Sequence, residues 1–290
     1  MTVSWPNGAR IAVHVSIMVE MWSEGKAPQY GPQTTTLKAD TIDHGKIAWS
    51  LYGPKSGAWR LLRIVNRLGV PATFPTSART LELFPDLVRA IHQSGQSLAA
   101  HSYTQDTILT YLSRDEEAAL IGRCVKQFQD VLGVRPNGWS SPVVSFTPHT
   151  AELLADNGFC WHADLYDSDL PKVIQTAKGT IVGIPVCDFS DNRVLRASPR
   201  DLFDTYKETF DYLYTNEPGA LIGLVFHSHS GGRPIVAAML EKILKYFRQF
   251  PDVWFASHDA LAGWAIENNV GDQVTYASRF SLDRRTEGQR

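Results

Sequence analysis

Short apolar runs alternate with longer segments in which apolar residues recur at helical spacing. Several of the short runs are continuously apolar, which is typical of parallel strands covered by helices. The runs that predict strands are residues 10–18, 72–75, 97–100, 136–139, 159–163, 180–185, 220–226 and 253–255. About eight strands alternating with about seven helices favour a parallel β/α barrel.

The helical segments begin at recognisable residues. Ser113 and Glu116 form a capping box, in which each side chain would satisfy a backbone N–H of the other. The apolar residues of the helix that follows this capping box form one packing face, which includes Cys124. A doubly wound open sheet is the competing topology, but no GxGxxG sequence follows the first strand.

Two segments fall outside this alternation. Residues 23–58 are polar and contain Gly-Pro pairs at 31–32 and 53–54, so they predict a lid, a substrate-binding loop or an oligomer contact. Residues 271–290 lack apolar periodicity and predict a C-terminal tail. The remaining residues, 1–270, are expected to form one domain.

Polar side chains follow nearly every predicted strand. Loops at the carboxyl ends of barrel strands converge on one cavity, so residues there are candidates for chemistry. The residues in these positions are Glu20, Thr76, His101, Ser140, Ser141, Asp164, Asp188, His227 and Ser257. His229 shares an extended face with His227. The other histidines, which we interpret as structural or surface residues, are His14, His44, His92, His149, His162 and His258.

Composition narrows the range of functions. The chain has 290 residues, of which 43% are hydrophobic, and a formal net charge of −2 without blocks of like charge. These values give no indication of binding to nucleic acid or to an anionic membrane. The N-terminal residues lack the pattern of a signal peptide, and we expect a cytoplasmic protein.

The sequence lacks the usual signatures of thiolate zinc sites and of serine hydrolases. The three cysteines have no CxxC spacing, and no GxSxG sequence is present. A strand end followed by a turn could present zinc ligands at His101 and four residues later, but position 105 is glutamine, a poor ligand. Asp106 is available as a ligand instead, but it lies one residue further along the chain, so its side chain would point in a different direction. We expect no cofactor.

Seven sequence blocks occur in a recognisable order between residues 5 and 270. They are RIAVHVSIMVE, GVPATFPTS, SGQSLAAHSYTQD, GVRPNGWSSP, ADLYDSDLP, LVFHSHSGGRP and VWFASHDALAGW. In this order they resemble the polysaccharide deacetylase (NodB-homology) superfamily. The last two blocks resemble the branch that contains metal-independent allantoinases, cyclic imide hydrolases and peptidoglycan-deacetylase-like proteins. The resemblance implies a distorted (β/α)7-type barrel that hydrolyses C–N bonds.

The resemblance also implies roles for individual residues. Glu20 aligns with the catalytic base, whereas Trp22 and Gln105 stand where metal-dependent members have an aspartate and a second histidine. Two of the three metal ligands are therefore missing, which implies a metal-free site. His227 matches the histidine that protonates the leaving nitrogen, and either Glu20 or His227 would activate water.

We predict Glu20, His101 and His227 as catalytic residues. His101 and Gln105 would donate hydrogen bonds to the substrate carbonyl, and Ser140 and Ser141 would help to stabilise the oxyanion. The full set of predicted substrate-binding residues is Trp22, Gln105, Asp106, Ser140, Ser141, Pro142, Asp164, His229 and Arg233.

A site without a Lewis acid favours an activated carbonyl, so we predict hydrolysis of a small cyclic imide, ureide or hydantoin-like amide. One alternative is a carbohydrate or peptidoglycan N-deacetylase with an atypical zinc site of His101, Asp106 and His227. A second alternative is an inactive barrel that binds a ligand. The predicted partners are a small-molecule substrate and further copies of the chain, as a tetramer or dimer.

Overall fold

The computed structural model describes residues 3–35, 37–38, 40–187, 189–270 and 274–275. Within these ranges the strands are β1 (Ile11–Met18), β2 (Thr73–Thr76), β3 (Ser97–Ala100), β4 (Gly138–Trp139), β5 (Trp161–Leu165), β6 (Lys172–Thr176), β7 (Gly179–Pro185), β8 (Ala220–His227), β9 (Val253–Ala256) and β10 (Val274–Thr275). The helices are α1 (His44–Tyr52), α2 (Ala58–Leu68), α3 (Ala78–Leu83), α4 (Pro85–Gln93), α5 (Arg114–Leu132), α6 (Thr150–Asp156), α7 (Pro199–Asn216), α8 (Pro234–Phe247) and α9 (His258–Glu267). All eight predicted strands are present.

The strands form one curled sheet in the order β10-β6-β7-β5-β4-β3-β2-β1-β8, with β9 also paired to β1. The described pairs are parallel, apart from the antiparallel hairpin of β6 and β7. A bridge between Ser190 and Val225 joins the segment after β7 to β8. This arrangement confirms the predicted single α/β domain with a distorted barrel.

β1 lies at the centre of the domain. All eight of its residues are buried, because it pairs with β8 along its whole length and with β9 and β2 on its other edge. The apolar faces of α2, α7 and α8 pack around it to form the largest core cluster. The predicted capping box of α5 is present, and Cys124 is buried on the inner face of that helix.

The structure differs from the sequence prediction in three places. The second half of segment 23–58 is helical, with α1 capped by Asp43 and followed by one π-helical turn, Gly53–Gly57. The short strand β6 was not predicted, because its run is flanked by polar residues. In the predicted tail, Val274–Thr275 pairs with β6, and the other tail residues lie outside the described residues, as does Asp188.

None of the described helices combines the length and the hydropathy that a membrane span requires.

Close backbone packing fixes the π-helical turn against the loop after β8. A Cβ atom on Gly57 would lie 1.8 Å from the carbonyl oxygen of Ser228, and one on Gly232 would lie 2.3 Å from the same oxygen. We expect Gly57→Ala to lower the free energy of unfolding by about 1–3 kcal/mol, because backbone has to move to accept the methyl group. Thermal unfolding measures the change. Gly122→Ala in α5, where a Cβ atom meets open space, is the matched control and should be neutral or stabilising.

Candidate active site

The carboxyl ends of the strands surround a cavity of about 510 Å³. Glu20 follows β1, His101 follows β3 and His227 ends β8, and all three line it. The cavity therefore brings together the three residues predicted to be catalytic. Its other lining residues are His14, Ser16, Met18, Tyr30, Pro75, Gln105, Ser140, Ser141, Val143, Val144, Ala163, Tyr166, Pro185, Val186, Cys187, Ser190, Asn192, Arg193, Val225 and His258.

Glu20 lies at the centre of a histidine cluster. Its side chain is 1% exposed, and its Oε1 atom lies 3.6 Å from Nε2 of His101 and 3.9 Å from Nε2 of His227. Its Oε2 atom lies 3.5 Å from Nδ1 of His229. A buried carboxylate is stable when cationic or donor groups surround it, and here histidines do so on both oxygens.

His227 is paired with a carboxylate that the sequence did not indicate. Asp191 Oδ1 accepts hydrogen bonds from Nδ1 of His227 at 2.7 Å and from its backbone N–H at 3.0 Å. Asp191 Oδ2 accepts a third from Oγ of Ser230. With Nδ1 held in this way, Nε2 of His227 is the nitrogen that faces Glu20 and the cavity.

The charges of the two central groups follow from these contacts. Burial raises the pKa of Glu20, but the charge of His227, with further contributions from His101 and His229, outweighs it and lowers the pKa to about 2. Burial lowers the pKa of His227, but the carboxylates of Asp191 and Glu20 outweigh it and raise the pKa to about 9. Near neutral pH, Glu20 is therefore a carboxylate and His227 an imidazolium.

His229 is the histidine of the cluster that contacts segment 23–58. Burial lowers its pKa to about 4, so the ring is neutral near pH 7. Its Nε2 lies 3.0 Å from the hydroxyl of Tyr30, and the edge of its ring packs on Trp22 and Trp49. Since a carboxylate only accepts, the ring places its N–H at Nδ1 toward Glu20 and accepts from Tyr30 at Nε2.

Segment 23–58 contributes to the cavity wall and is held by two arginines. It contributes Tyr30 to the wall, and Arg196 donates to the carbonyl oxygens of Gly31 and Gln33. Arg233 donates to the carbonyl oxygens of Trp49 and His229 and lies over the ring of Tyr52. Arg233 thus holds this segment in place, and it is absent from the cavity wall where the prediction had placed it as a substrate contact.

His101 is held by backbone on one side. Its Nδ1 donates to the carbonyl oxygen of Ser140 at 2.7 Å, and its Nε2 has no hydrogen-bond partner among the described residues. The next residue, Ser102, has φ of 55°, a left-handed conformation that is uncommon for residues with a side chain. This backbone kink and the Ser140 contact fix the direction in which Nε2 faces Glu20.

The serine pair is used differently from the prediction. The backbone N–H and hydroxyl of Ser141 both donate to Asp164, at 2.8 and 2.7 Å, so these donors are occupied. Asp164 is 2% exposed and lies behind the cavity wall, where burial raises its pKa to about 6 despite the two bonds from Ser141. Ser140 and Ser141 both line the cavity. Pro142 is buried beneath the exposed rim residue Val143.

The side chains of Gln105 and Asp106 lie in different environments. The Gln105 side chain lines the cavity, and its buried Oε1 has no hydrogen-bond partner in the part of the chain that the structure describes. The Asp106 carboxylate accepts from the backbone N–H of Ser23 at 2.8 Å and lies off the cavity wall. Asp106 therefore anchors the start of segment 23–58, and its role as a substrate contact stays a prediction.

The site does not fit the zinc centre of metal-dependent deacetylases. Trp22 packs against His229, and Gln105 offers an amide where a second histidine would be needed. The alternative ligand Asp106 is engaged with Ser23. In the ranges that the structure describes, no group of three or more His, Cys, Asp or Glu side chains has the geometry to hold a metal ion.

Two other strand-end residues make structural contacts. Thr76 donates to the carbonyl oxygen of Phe74, and Ser257 caps α9. Two histidines interpreted as structural from the sequence, His14 and His258, line the cavity. The position of His14 was predictable, because residues 14, 16, 18 and 20 alternate on one face of β1, but the position of His258 depends on the pairing of β9 with β1.

Comparison with known proteins identifies similar chains. Residues 41–161 match the family model of polysaccharide deacetylases. A peptidoglycan deacetylase of Helicobacter pylori is 22% identical over 259 residues, which cover 77% of this chain and 88% of that protein.

Solved structures give the same result for the whole fold. A probable polysaccharide deacetylase from Pseudomonas aeruginosa PAO1 superposes with a TM-score of 0.82 at 25% identity, covering 93% of this chain and 96% of that one. Puue allantoinase superposes with a TM-score of 0.83 at 24% identity, covering 93% and 95%. The predicted resemblance is confirmed.

Proposed function

We propose that the chain, part of which matches the polysaccharide deacetylase family model, is a C–N hydrolase that opens a small cyclic imide, ureide or hydantoin-like amide without a bound metal. The observation that carries this proposal is the charge arrangement of the site. A buried Glu20 carboxylate faces a His227 imidazolium that Asp191 holds in the protonated state.

The two charged groups are suited to opposite halves of one hydrolysis. Glu20 takes a proton from water, and the water oxygen attacks the ring carbonyl carbon. His227 then gives its Nε2 proton to the ring nitrogen as the C–N bond breaks. The ring opens to a carboxylic acid and a free amide or urea nitrogen, and His227 regains a proton from Glu20. Because His227 is already protonated near neutral pH, we assign the base to Glu20.

Gln105 supports a cyclic amide as substrate. A primary amide side chain has an acceptor oxygen and two N–H donors side by side. A ring imide or ureide presents the complementary pair, a ring N–H beside a carbonyl oxygen. The buried Oε1 of Gln105, which has no partner among the described residues, would accept a hydrogen bond from such a ring N–H, and the amide N–H of Gln105 would polarise the carbonyl.

The shape of the cavity supports a small substrate. Its volume of about 510 Å³ is in the range of small-molecule sites, and Tyr30 on the anchored lid forms part of its wall. Without a Lewis acid, an activated ring carbonyl is also a more reactive substrate than an ordinary acetamide. Both features favour a small ring over an acetylated polysaccharide chain.

A substrate panel tests this proposal. We expect wild-type protein to open at least one of succinimide, hydantoin and allantoin, with no acetate released from acetylated amino sugars. His227→Ala should lose at least roughly a hundredfold in kcat, because the leaving nitrogen has no proton donor. His92→Ala, a substitution on the outer helix α4, is the control and should keep full activity.

Two outcomes would contradict the proposal. Acetate release that depends on stoichiometric zinc in protein purified without chelator would favour the N-deacetylase. Absence of turnover on every compound would favour a ligand-binding barrel.

A further inference from the structure

The cavity continues from Glu20 toward the amino end of β1. His14, Ser16, Met18 and Glu20 alternate along the inward face of this segment, and all four line the cavity. At the rise of an extended strand, the Cα atoms of Ser16 and Glu20 are roughly 13 Å apart. A ligand that reaches both residues therefore has a substituent on the ring held at Glu20.

The inner end of the cavity is polar. Ser16 Oγ lies 3.3 Å from Nε2 of His258, and the rings of His14 and His258 meet edge to face with centroids 4.5 Å apart. The two histidines are 2% and 1% exposed. The Nδ1 atom of each is buried without a hydrogen-bond partner among the described residues. Buried polar atoms normally have partners, so these two nitrogen atoms are available to hydrogen-bond a polar group in the cavity.

The backbone makes room for this arrangement. Gly223 on β8 is the register partner of His14, and a Cβ atom at that position would lie 2.6 Å from Nε2 of His14. The His14 ring therefore occupies space that any other residue at position 223 would take. The same ring also borders a second cavity of about 360 Å³, so it separates two open spaces of the barrel interior.

The charge of this region restricts its ligand. Burial lowers the pKa of both His14 and His258, the latter to about 3, so both rings are neutral near pH 7. The charged side chains that line the cavity include Glu20, Arg193 and His227. None of these belongs to the strand segment of His14 and Ser16 or to α9.

We propose that His14, Ser16 and His258 form a second subsite, the floor subsite, which binds a neutral carboxamide or ureido substituent of the ring substrate. This inference rests on the proposed function, since the ring is taken to lie at Glu20. Two neutral imidazoles and a hydroxyl offer both donors and acceptors, which a carboxamide or ureido group matches. A carboxylate or ammonium group finds no opposite charge there, and an alkyl group leaves the polar atoms unpaired.

Three hydantoins of nearly equal size test the floor subsite in wild-type protein: the 5-carbamoylmethyl, 5-isobutyl and 5-carboxymethyl compounds. We expect kcat/KM for the carbamoylmethyl compound to exceed that for the other two by at least roughly tenfold, because a site built for hydrogen bonds rejects analogues that lack them. Equal values for the three compounds would overturn the proposal. If the substrate panel identifies another ring, the same substituents are placed on it.

Variants separate binding from a structural role. In His258→Gln the amide stands near the position of Nε2 and keeps the contact with Ser16, whereas in His258→Asn it stands near Nδ1. The Gln variant should lose the tenfold preference for the carbamoylmethyl compound, and the Asn variant should keep it. Gly223→Ala, which displaces His14, should also lose it, and Gly122→Ala should not. An equal fall on all substrates in both His258 variants would mean a structural role and overturn the proposal.

A binding measurement distinguishes failure of the floor subsite from failure of the proposed function. Imidazole ¹H–¹⁵N spectra of the intact protein are titrated with propionamide and with propionate. A shift of the His14 and His258 signals by propionamide alone supports the subsite even if no ring is opened. Ring opening without substituent preference and without such a shift rejects the subsite and leaves the proposed function standing.

Discussion

Glu20→Gln should lower kcat by about 10³–10⁴-fold for whichever ring substrate the protein opens. The substitution keeps the size of the side chain and its place among the histidines but removes the base that takes a proton from water. Substrate affinity should change less than kcat, because the proton transfer occurs in the transition state. Steady-state kinetics at saturating substrate measure the loss.

A matched control is available on the same segment. Glu24 is exposed near the start of the lid, and Glu24→Gln should leave kcat unchanged. The Glu20 variant should also titrate differently, because the Glu20 carboxylate contributes to the raised pKa of His227. If Glu20→Gln kept a tenth or more of the wild-type kcat, the base would have to be another group.

The same two charges link stability to pH. The pKa of Glu20 is lowered to about 2. The Glu20 carboxylate therefore stabilises the folded protein in full at pH values above the ordinary glutamate pKa, and this stabilisation is lost as pH falls toward 2. The pKa of His227 is raised to about 9. The His227 imidazolium therefore stabilises the folded protein in full at pH values below the ordinary histidine pKa, and this stabilisation is lost as pH rises toward 9. Between about pH 4.5 and 6.5 both contributions act in full.

The central residues of the site were predictable because regular structure fixes their direction. In a parallel barrel the carboxyl ends of all strands meet at one edge, and alternate residues of a strand point inward. Glu20, His101 and His227 satisfy both conditions, and the structure brings them into one cavity. The same alternation, followed inward from Glu20, leads to Ser16 and His14.

Residues in turns were predicted less well. Asp106 follows Gln105 directly, and Arg233 follows His227 by six residues, but no repeating pattern of dihedral angles sets the direction of such side chains. Both are predicted as substrate contacts, and in the structure both hydrogen-bond to the backbone of segment 23–58. Ser141 is similar, since its donors are taken by Asp164, a tertiary contact between the ends of β4 and β5.

Asp191 was missed for a topological reason. It lies on a short 3-10 turn, Asp191–Val194, in the polar segment between β7 and α7, and reaches His227 because Ser190 bridges to Val225 on β8. The acid that the sequence favoured in this segment was Asp188. Nothing in a polar loop of this kind distinguishes the carboxylate that will contact a strand 36 residues away.

Asp191→Asn should move the alkaline limb of the kcat/KM profile to lower pH and reduce kcat by roughly a hundredfold or more. In wild-type protein His227 gives its proton to the leaving nitrogen, so activity should fall as pH rises through its pKa of about 9. The Asp191 carboxylate raises that pKa, and without it the value falls toward the ordinary range near 6.5. The fall in activity then begins at lower pH, and the pH dependence of kcat/KM measures it directly.

The pH profile also separates positioning from simple structural damage. Asp191 is fully buried and accepts three hydrogen bonds, so a lower Tm alone would not establish its role. Asp204→Asn on the exposed face of α7 is the matched control and should change neither kcat nor the limb. A folded Asp191→Asn protein whose alkaline limb stays near pH 9 would assign that limb to another group. It would also restrict Asp191 to holding the loop after β8, because a carboxylate that sets the charge of His227 cannot be neutralised without shifting its titration.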